Sequence, residues 1–255
     1  AVRYATEKGV LIVVAAGNDG KPVEGFGLPS LDGVIAVGAA GLDDTRAVFS
    51  NYGPAIDILA PGVDILSLRA RRTDTLRDIS GADYSPGAAY VGEDRRYYRA
   101  SGTSFAAPIV TGIASLLLSR EPGLTATQLR NKLLGSARDV GTPGIDQFSG
   151  YGMVDAAAAL RADPDDLVEA SIFGVTVVND GSGPSVVVNG TAKSGQLAEA
   201  WLEIGAGENP ASWSNRVGVT GPVMAGELGR LPAAAFRGSQ VWILRLVVRG
   251  KNGQQ

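Results

Sequence analysis

Val10-Leu11-Ile12-Val13-Val14-Ala15-Ala16 runs straight into Gly17-Asn18-Asp19-Gly20: an unbroken apolar stretch stopped by a polar, glycine-rich turn. A strand with one wet face would alternate, so this run reads as a strand covered on both sides, the pattern of a parallel sheet between helices. Val34-Ile35-Ala36-Val37-Gly38 and Ile56-Asp57-Ile58-Leu59-Ala60 read as further strands. Val2 to Lys8 reads as the end of a helix with Gly9 as its stop, and Ile109 to Leu118, apolar almost all round, as a buried helix. Thr125-Ala126-Thr127-Gln128 fits a capping box, with Leu124 and Leu129 placed for a hydrophobic staple. Leu129, Leu133 and Leu134 then share one face before Gly135, and a last helix is expected from Val154 to Leu160. Strands alternating with helices predict an α/β domain over residues 1–162, with a mostly parallel sheet flanked by helices.

Beyond Ala162 the texture changes. Asp163-Pro164-Asp165-Asp166 breaks the pattern, and helical periodicity disappears. Ile172–Val178, Ser185–Asn189, Ala200–Ile204 and Val241–Val248 are short and β-rich, so residues 163–255 predict a small antiparallel β-sandwich. Trp201 and Trp242 on these strands mark either an aromatic core or a ligand surface. Arg69 to Arg99, charged and turn-rich, reads as a surface loop beside a site or as a solvated insertion. The chain opens at Ala1 inside a helix, and Asn252-Gly253 signals a hairpin turn with no second strand after it. Both ends therefore read as cuts, with the β-module truncated; the alternative is a mature N-terminus and a frayed tail.

Composition narrows the chemistry. The 255 residues carry 23 basic and 26 acidic side chains, with no basic excess to suggest nucleic acid as a partner. No apolar run approaches the roughly 20 residues that span a bilayer. No cysteine is present, which excludes disulfides, a thiolate nucleophile and Cys-ligated zinc; no histidine is present either. Any chemistry that needs an imidazole must borrow it from outside these residues.

Ser101-Gly102-Thr103-Ser104-Phe105-Ala106-Ala107-Pro108 leads into the buried helix. A serine where a loop becomes a helix can present its hydroxyl while its own N–H, at the positive end of the helix dipole, holds a developing oxyanion. Gly102, Thr103, Ala106 and Ala107 keep bulk away and let a substrate backbone approach. Pro108 would cost about 3 kcal/mol in an ordinary helix interior, so the helix start must be unusual. The alternative for Ser104 is a plain N-cap. Asn18, at the exit of a buried strand, offers a neutral N–H donor suited to the same oxyanion, or is simply a turn residue.

Taken together, these segments resemble the subtilisin-like serine proteases. Ala15-Ala16-Gly17-Asn18-Asp19-Gly20 looks like the family's oxyanion-asparagine motif, and Gly102-Thr103-Ser104-Phe105-Ala106-Ala107-Pro108 like its nucleophile motif, with Phe105 where Met is usual. Val34–Ala39, Phe49-Ser50-Asn51-Tyr52-Gly53 and Asp57-Ile58-Leu59-Ala60-Pro61-Gly62 also fit, in the family's order, and Tyr151–Ala156 looks like its closing helix. The resemblance covers residues 1 to about 162. It implies Ser104 as nucleophile, Asn18 and the Ser104 N–H as the oxyanion hole, and Ala15, Ala16 and Gly17 as one wall of the pocket for the residue before the scissile bond.

The family's Asp and His precede its Ser, in an order for which subtilisin is a standard example. Neither lies within these residues. The resemblance therefore implies the carboxy-terminal part of a catalytic domain, its amino-terminal part missing, followed by an immunoglobulin- or fibronectin-like module. The expected protein is a secreted serine endopeptidase acting on protein or peptide substrate through an acyl-enzyme on Ser104, with no required cofactor. No internal residue replaces the imidazole, so these residues alone are expected to be inactive. The alternatives are a noncatalytic adhesion protein on a degenerate subtilase domain, and the processed carboxy-terminal chain of a two-chain protease. In some relatives a carboxylate matching Asp57 binds calcium, here with carbonyls around Pro29 and Leu31; the alternative for Asp57 is capping or an ion pair.

Overall fold

In the computed structural model, residues 1–23, 27–69, 90–91, 96–179, 181 and 183–251 are described. The chain divides into two compact units, Ala1–Ala162 and Asp163–Gln255. Most of the Arg69–Arg99 insertion and the Asn252-Gly253 turn fall outside the described residues.

In the first unit, β1 (Ile12–Ala15), β2 (Val34–Ala40) and β3 (Ile58–Pro61) form a parallel sheet in the order β1-β2-β3. The central strand β2 is buried along its whole length, as a continuous apolar strand requires. β1 lies at the edge, and its four residues are only half-buried. α1 (Val2–Glu7) packs on β1, and Gly9 follows it at φ +77°, the left-handed stop that glycine allows. α2 (Thr103–Arg120) packs on all three strands through Ala106, Val110, Ile113 and Leu117. α2 is long and apolar enough to cross a membrane by length and composition, but these residues are buried against the sheet.

α2 begins at Thr103, before the expected stretch, and continues through Pro108. The ring's missing N–H is the one that would have bonded the Ser104 carbonyl one turn back, so the break falls where the helix is least committed. α3 (Ala126–Gly135) starts with the expected capping box, Thr125 and Gln128 bonding each other's backbone N–H. Its Leu129, Leu133 and Leu134 are buried, and the helix includes Gly135 instead of stopping before it. α4 (Ala156–Arg161) starts two residues later than expected because the Asp155 carboxylate caps it, accepting from Ala158 N–H at 2.8 Å.

A second sheet of this unit is antiparallel: β4 (Ile65–Leu68), β5 (Tyr90–Val91) and β6 (Tyr97–Ala100), in the order β4-β6-β5. The sequence patterning did not show these strands, whose described residues are mostly exposed.

The second unit holds β7 (Glu169–Asn179), β8 (Pro184–Lys193), β9 (Leu197–Ala206), β10 (Ser214–Gly218), β11 (Val223–Pro232) and β12 (Trp242–Gly250). They form two antiparallel sheets, β11-β8-β7 and β10-β9-β12, whose inner residues Val188, Leu202, Ile204, Leu228 and Val248 share one cluster. The only described helix here is the short 3-10 turn Ala233–Phe236. Trp242 packs against the cluster with its ring edge-on to Phe236, at 5.9 Å. Trp201 alternates away from it and is buried instead beneath Arg216 and Arg249, the Arg216 guanidinium standing 3.7 Å from the ring centre. Trp201 Nε1 donates to Glu203 at 2.9 Å, and Arg245 binds the same carboxylate while stacking on Trp213.

Burial opposes the charge of Glu203, but the hydrogen bonds from Trp201 and Arg245 outweigh it and hold the carboxyl below the ordinary glutamate range. A lowered folded-state value gives stability that is complete above the unfolded value, about 4.3, and is lost as pH falls through the folded one. Glu203→Gln should therefore flatten the acid limb of the second unit's melting profile, read by tryptophan fluorescence against pH. In the first unit, Gly152 sits at φ +113° with the Arg138 carbonyl where a Cβ would go. Gly152→Ala should abolish soluble folded protein, read by yield and circular dichroism.

Candidate active site

The exit of β1 and the start of α2 meet through one side chain. Asn18 Oδ1 accepts from Thr103 N–H at 2.8 Å and from the Thr103 hydroxyl at 3.0 Å. The first of these satisfies a helix-start N–H that has no intrahelical partner. The Thr103 hydroxyl, fully buried, also accepts from Gly17 N–H at 3.1 Å, so both of its functions are used. With Oδ1 engaged, the Asn18 carboxamide can turn only with the loss of two bonds, and its Nδ2 lies against Gly102.

Ser104 is the second residue of α2 and its side chain is exposed. Among the described residues nothing hydrogen-bonds its hydroxyl or its N–H. The Ser104 hydroxyl and N–H thus stand at the positive end of an 18-residue helix, one residue after the Thr103 that holds Asn18. Gly102 precedes the helix at φ +154°, with Asn18 and Phe105 on either side of it. Its N–H donates to Gly62 O at 2.8 Å, which ties the serine loop to the end of β3. Gly62 in turn lies so close to Ala39 of β2 that a Cβ there would overlap the alanine methyl.

Of the other predicted residues, Ala15 ends β1, Ala16 is buried with its N–H on Val37 O at 3.0 Å, and Gly17 carries the chain out at φ +101°. The structure brings Gly17 and Asn18 next to Gly102 and Thr103. A cavity of about 260 Å³ lies elsewhere, between the end of β2 and β4, lined by Ala40, Leu42, Pro61 and Ile65 and by none of the predicted site residues.

Asp57 Oδ2 accepts from Ala36 N–H at 2.8 Å, and its Oδ1 pairs with Arg130 of α3 at 2.8 Å. These are the contacts expected of the capping and ion-pairing alternative for this residue.

Asn51 was missed as a functional residue, although its segment was noted. Its side chain bonds the backbone of the Asn18 turn at three points. The signal available was an asparagine beside a buried serine, in a segment too short to be a strand.

Residues 1–152 match the model of the subtilase family. The chain is similar to the thermostable alkaline protease of Halalkalibacterium halodurans, 38% identical over 162 residues, covering 63% of this chain and 37% of that protein. It is 36% identical over 157 residues to the halolysin-like extracellular serine protease Nep of Natrialba magadii, covering 62% of this chain and 24% of that one. To subtilisin DY of Bacillus licheniformis it is 35% identical over 165 residues, covering 63% and 50%. The chain thus spans a quarter to a half of these relatives' lengths. Among solved structures, a lanthipeptide protease superimposes with a TM-score of 0.51 at 27% identity, over 63% of this chain and 53% of that one.

Thr103→Val would strand the Gly17 N–H and release Asn18 from its buried anchor. Leaving such a group unpaired costs about 1–3 kcal/mol, so the urea midpoint should fall by the corresponding amount, while Thr103→Ser should stay near the parent value.

Proposed function

The chain belongs to the subtilase family, and from that premise we propose that it carries the nucleophile and oxyanion-binding half of a serine endopeptidase. The observation that carries this reading is the Asn18–Thr103 link, which commits Asn18 Oδ1 one residue before the exposed Ser104 and leaves Nδ2 as the donor end of that side chain. Ser104 Oγ attacks the peptide carbonyl, and its proton passes to a histidine outside these residues, oriented by an aspartate. The oxyanion takes hydrogen bonds from Asn18 Nδ2 and Ser104 N–H. The amine then leaves with the proton, and water resolves the acyl-enzyme by the same route. Serine acyl transfer of this kind requires no metal or organic cofactor.

Ala15, Ala16 and Gly17 form a wall for the side chain before the scissile bond, and Gly102 and Thr103 leave room for the substrate backbone. An extracellular site of action is supported by the extracellular relative from Natrialba magadii. The β1 edge and its half-buried apolar residues suit pairing with a further strand, which the described residues do not supply. Asp163–Gln255, with its two antiparallel sheets on one apolar cluster, is proposed as an immunoglobulin- or fibronectin-like module attached to the protease.

Residues 1–255 expressed alone should cleave no peptide. A fluorophosphonate should label their Ser104 at least about a thousandfold more slowly than in the protein expressed from its complete native gene, since loss of a triad base costs 10⁴ or more. Equal labelling rates would contradict the assignment of the base outside this chain. An inactive complete protein would contradict the protease reading itself.

A further inference from the structure

Asn51 is separated from Asn18 in sequence by the whole of β2, yet its side chain is embedded in the turn that presents Asn18. Oδ1 accepts from Asp19 N–H at 3.0 Å and from Lys21 N–H at 3.1 Å, and Nδ2 donates to Ala16 O at 3.1 Å. Its own N–H donates to Gly17 O at 3.0 Å. One residue thus bonds the backbone on both sides of Asn18, at positions 16, 17, 19 and 21. A carboxamide suits this task because it combines an acceptor with two lone pairs and a donor; aspartate lacks the donor and alanine lacks both.

Two neighbours show that the turn is built around this side chain. Gly17 has φ +101°, and a Cβ on it would overlap Asn51 Nδ2, so the glycine and the asparagine require each other. Ser50, fully buried, accepts from Ala39 N–H at 3.0 Å and donates to Asn51 O at 3.2 Å, fastening Asn51 to the central strand. Gly20 N–H meanwhile reaches Phe49 O at 2.7 Å. Rigidity therefore runs from β2 through Ser50 and Asn51 to the turn, while Thr103 holds Asn18 from the other side.

We infer that Asn51 is a positioning residue for the oxyanion: it fixes the backbone of the Asn18 turn so that Nδ2 stands ready before substrate arrives. This rests on the reading of Asn18 as oxyanion donor. Asn51 touches neither substrate nor reacting atoms. Its effect on the transition state passes through Asn18.

The test is a double-mutant cycle in the protein expressed from its complete native gene, with kcat normalised to titrated Ser104. Asn18→Ala should lower kcat by about 10²–10³-fold, the usual cost of an oxyanion donor. Asn51→Ala should lower it by about 10–100-fold, since a displacement near 1 Å costs on that order, with KM within about twofold. In the Asn18→Ala background, Asn51→Ala should cost less than about threefold more. Should Asn51→Ala fold poorly, Asn51→Ser, which keeps one polar group, carries the same cycle with a smaller single effect. An Asn51 effect of equal size in both backgrounds, or one on KM alone, would overturn the inference while leaving Asn18 in place. If Asn18→Ala leaves kcat unchanged, the oxyanion reading fails and the inference with it. A readout independent of turnover is the Asn18 side-chain amide resonance, identified by its loss in Asn18→Ala. Asn51→Ala should shift or broaden it, and an unmoved signal would overturn the inference even in an inactive protein.

Discussion

The carboxamide of Asn18 joins two parts of the chain that are 85 residues apart, the exit of a buried strand and the first peptide of the longest helix. One oxygen takes both the backbone N–H and the hydroxyl of Thr103, and the geometry around Ser104 depends on that choice. It supplies the helix start with an acceptor where the helix cannot provide one. With its oxygen committed to Thr103, only the donor end of the carboxamide remains. Donors of this kind, set in place by the fold, need no reorganisation as charge develops, which is why preorganisation outweighs raw hydrogen-bond strength in such sites.

The surrounding glycines follow from the same constraint. Gly102 takes a φ of +154° so that the chain can turn from β6 into α2 beneath Asn18, and Gly17 at +101° lets the chain leave β1 without a Cβ striking Asn51. Substituting either would strain the backbone, so the small residues of the two motifs are structural conditions for the site as much as room for a ligand. The helix dipole and the exposed Ser104 hydroxyl then come with the position, at no further structural cost.

Much of this was legible in the sequence because it is local. The capping box from Thr125 to Gln128, the apolar run ending at Ala16 and the stop at Gly9 each follow from neighbours within a few residues. The loop-to-helix junction at Gly102–Thr103 was readable for the same reason, although α2 begins six residues before the apolar stretch that starts at Ile109. What escaped was long-range or weakly patterned. Strands β10 and β11, with Asn215, Arg216, Glu227 and Arg230 among glycines, carry too few inward apolar residues to announce themselves. The β4–β6 sheet is mostly exposed and lacks periodicity for that reason. Asn51 and Asp57 could not be placed by type alone: each bonds backbone or side chain that is adjacent only after folding, Asp57 with Arg130 of α3. In the second unit, Trp201 escaped the choice between core and ligand surface because arginines cover it from the solvent side.

The account stands or falls on where a substrate-derived oxygen goes. The direct measurement is a crystal structure of the protein from its complete native gene, covalently bound at Ser104 by a peptide boronate. The account predicts one boronate oxygen within about 3.1 Å of both Asn18 Nδ2 and the Ser104 N–H, with Asn18 Oδ1 still on Thr103. An adduct whose oxygen points to solvent, or an Asn18 turned away from Thr103, would contradict it.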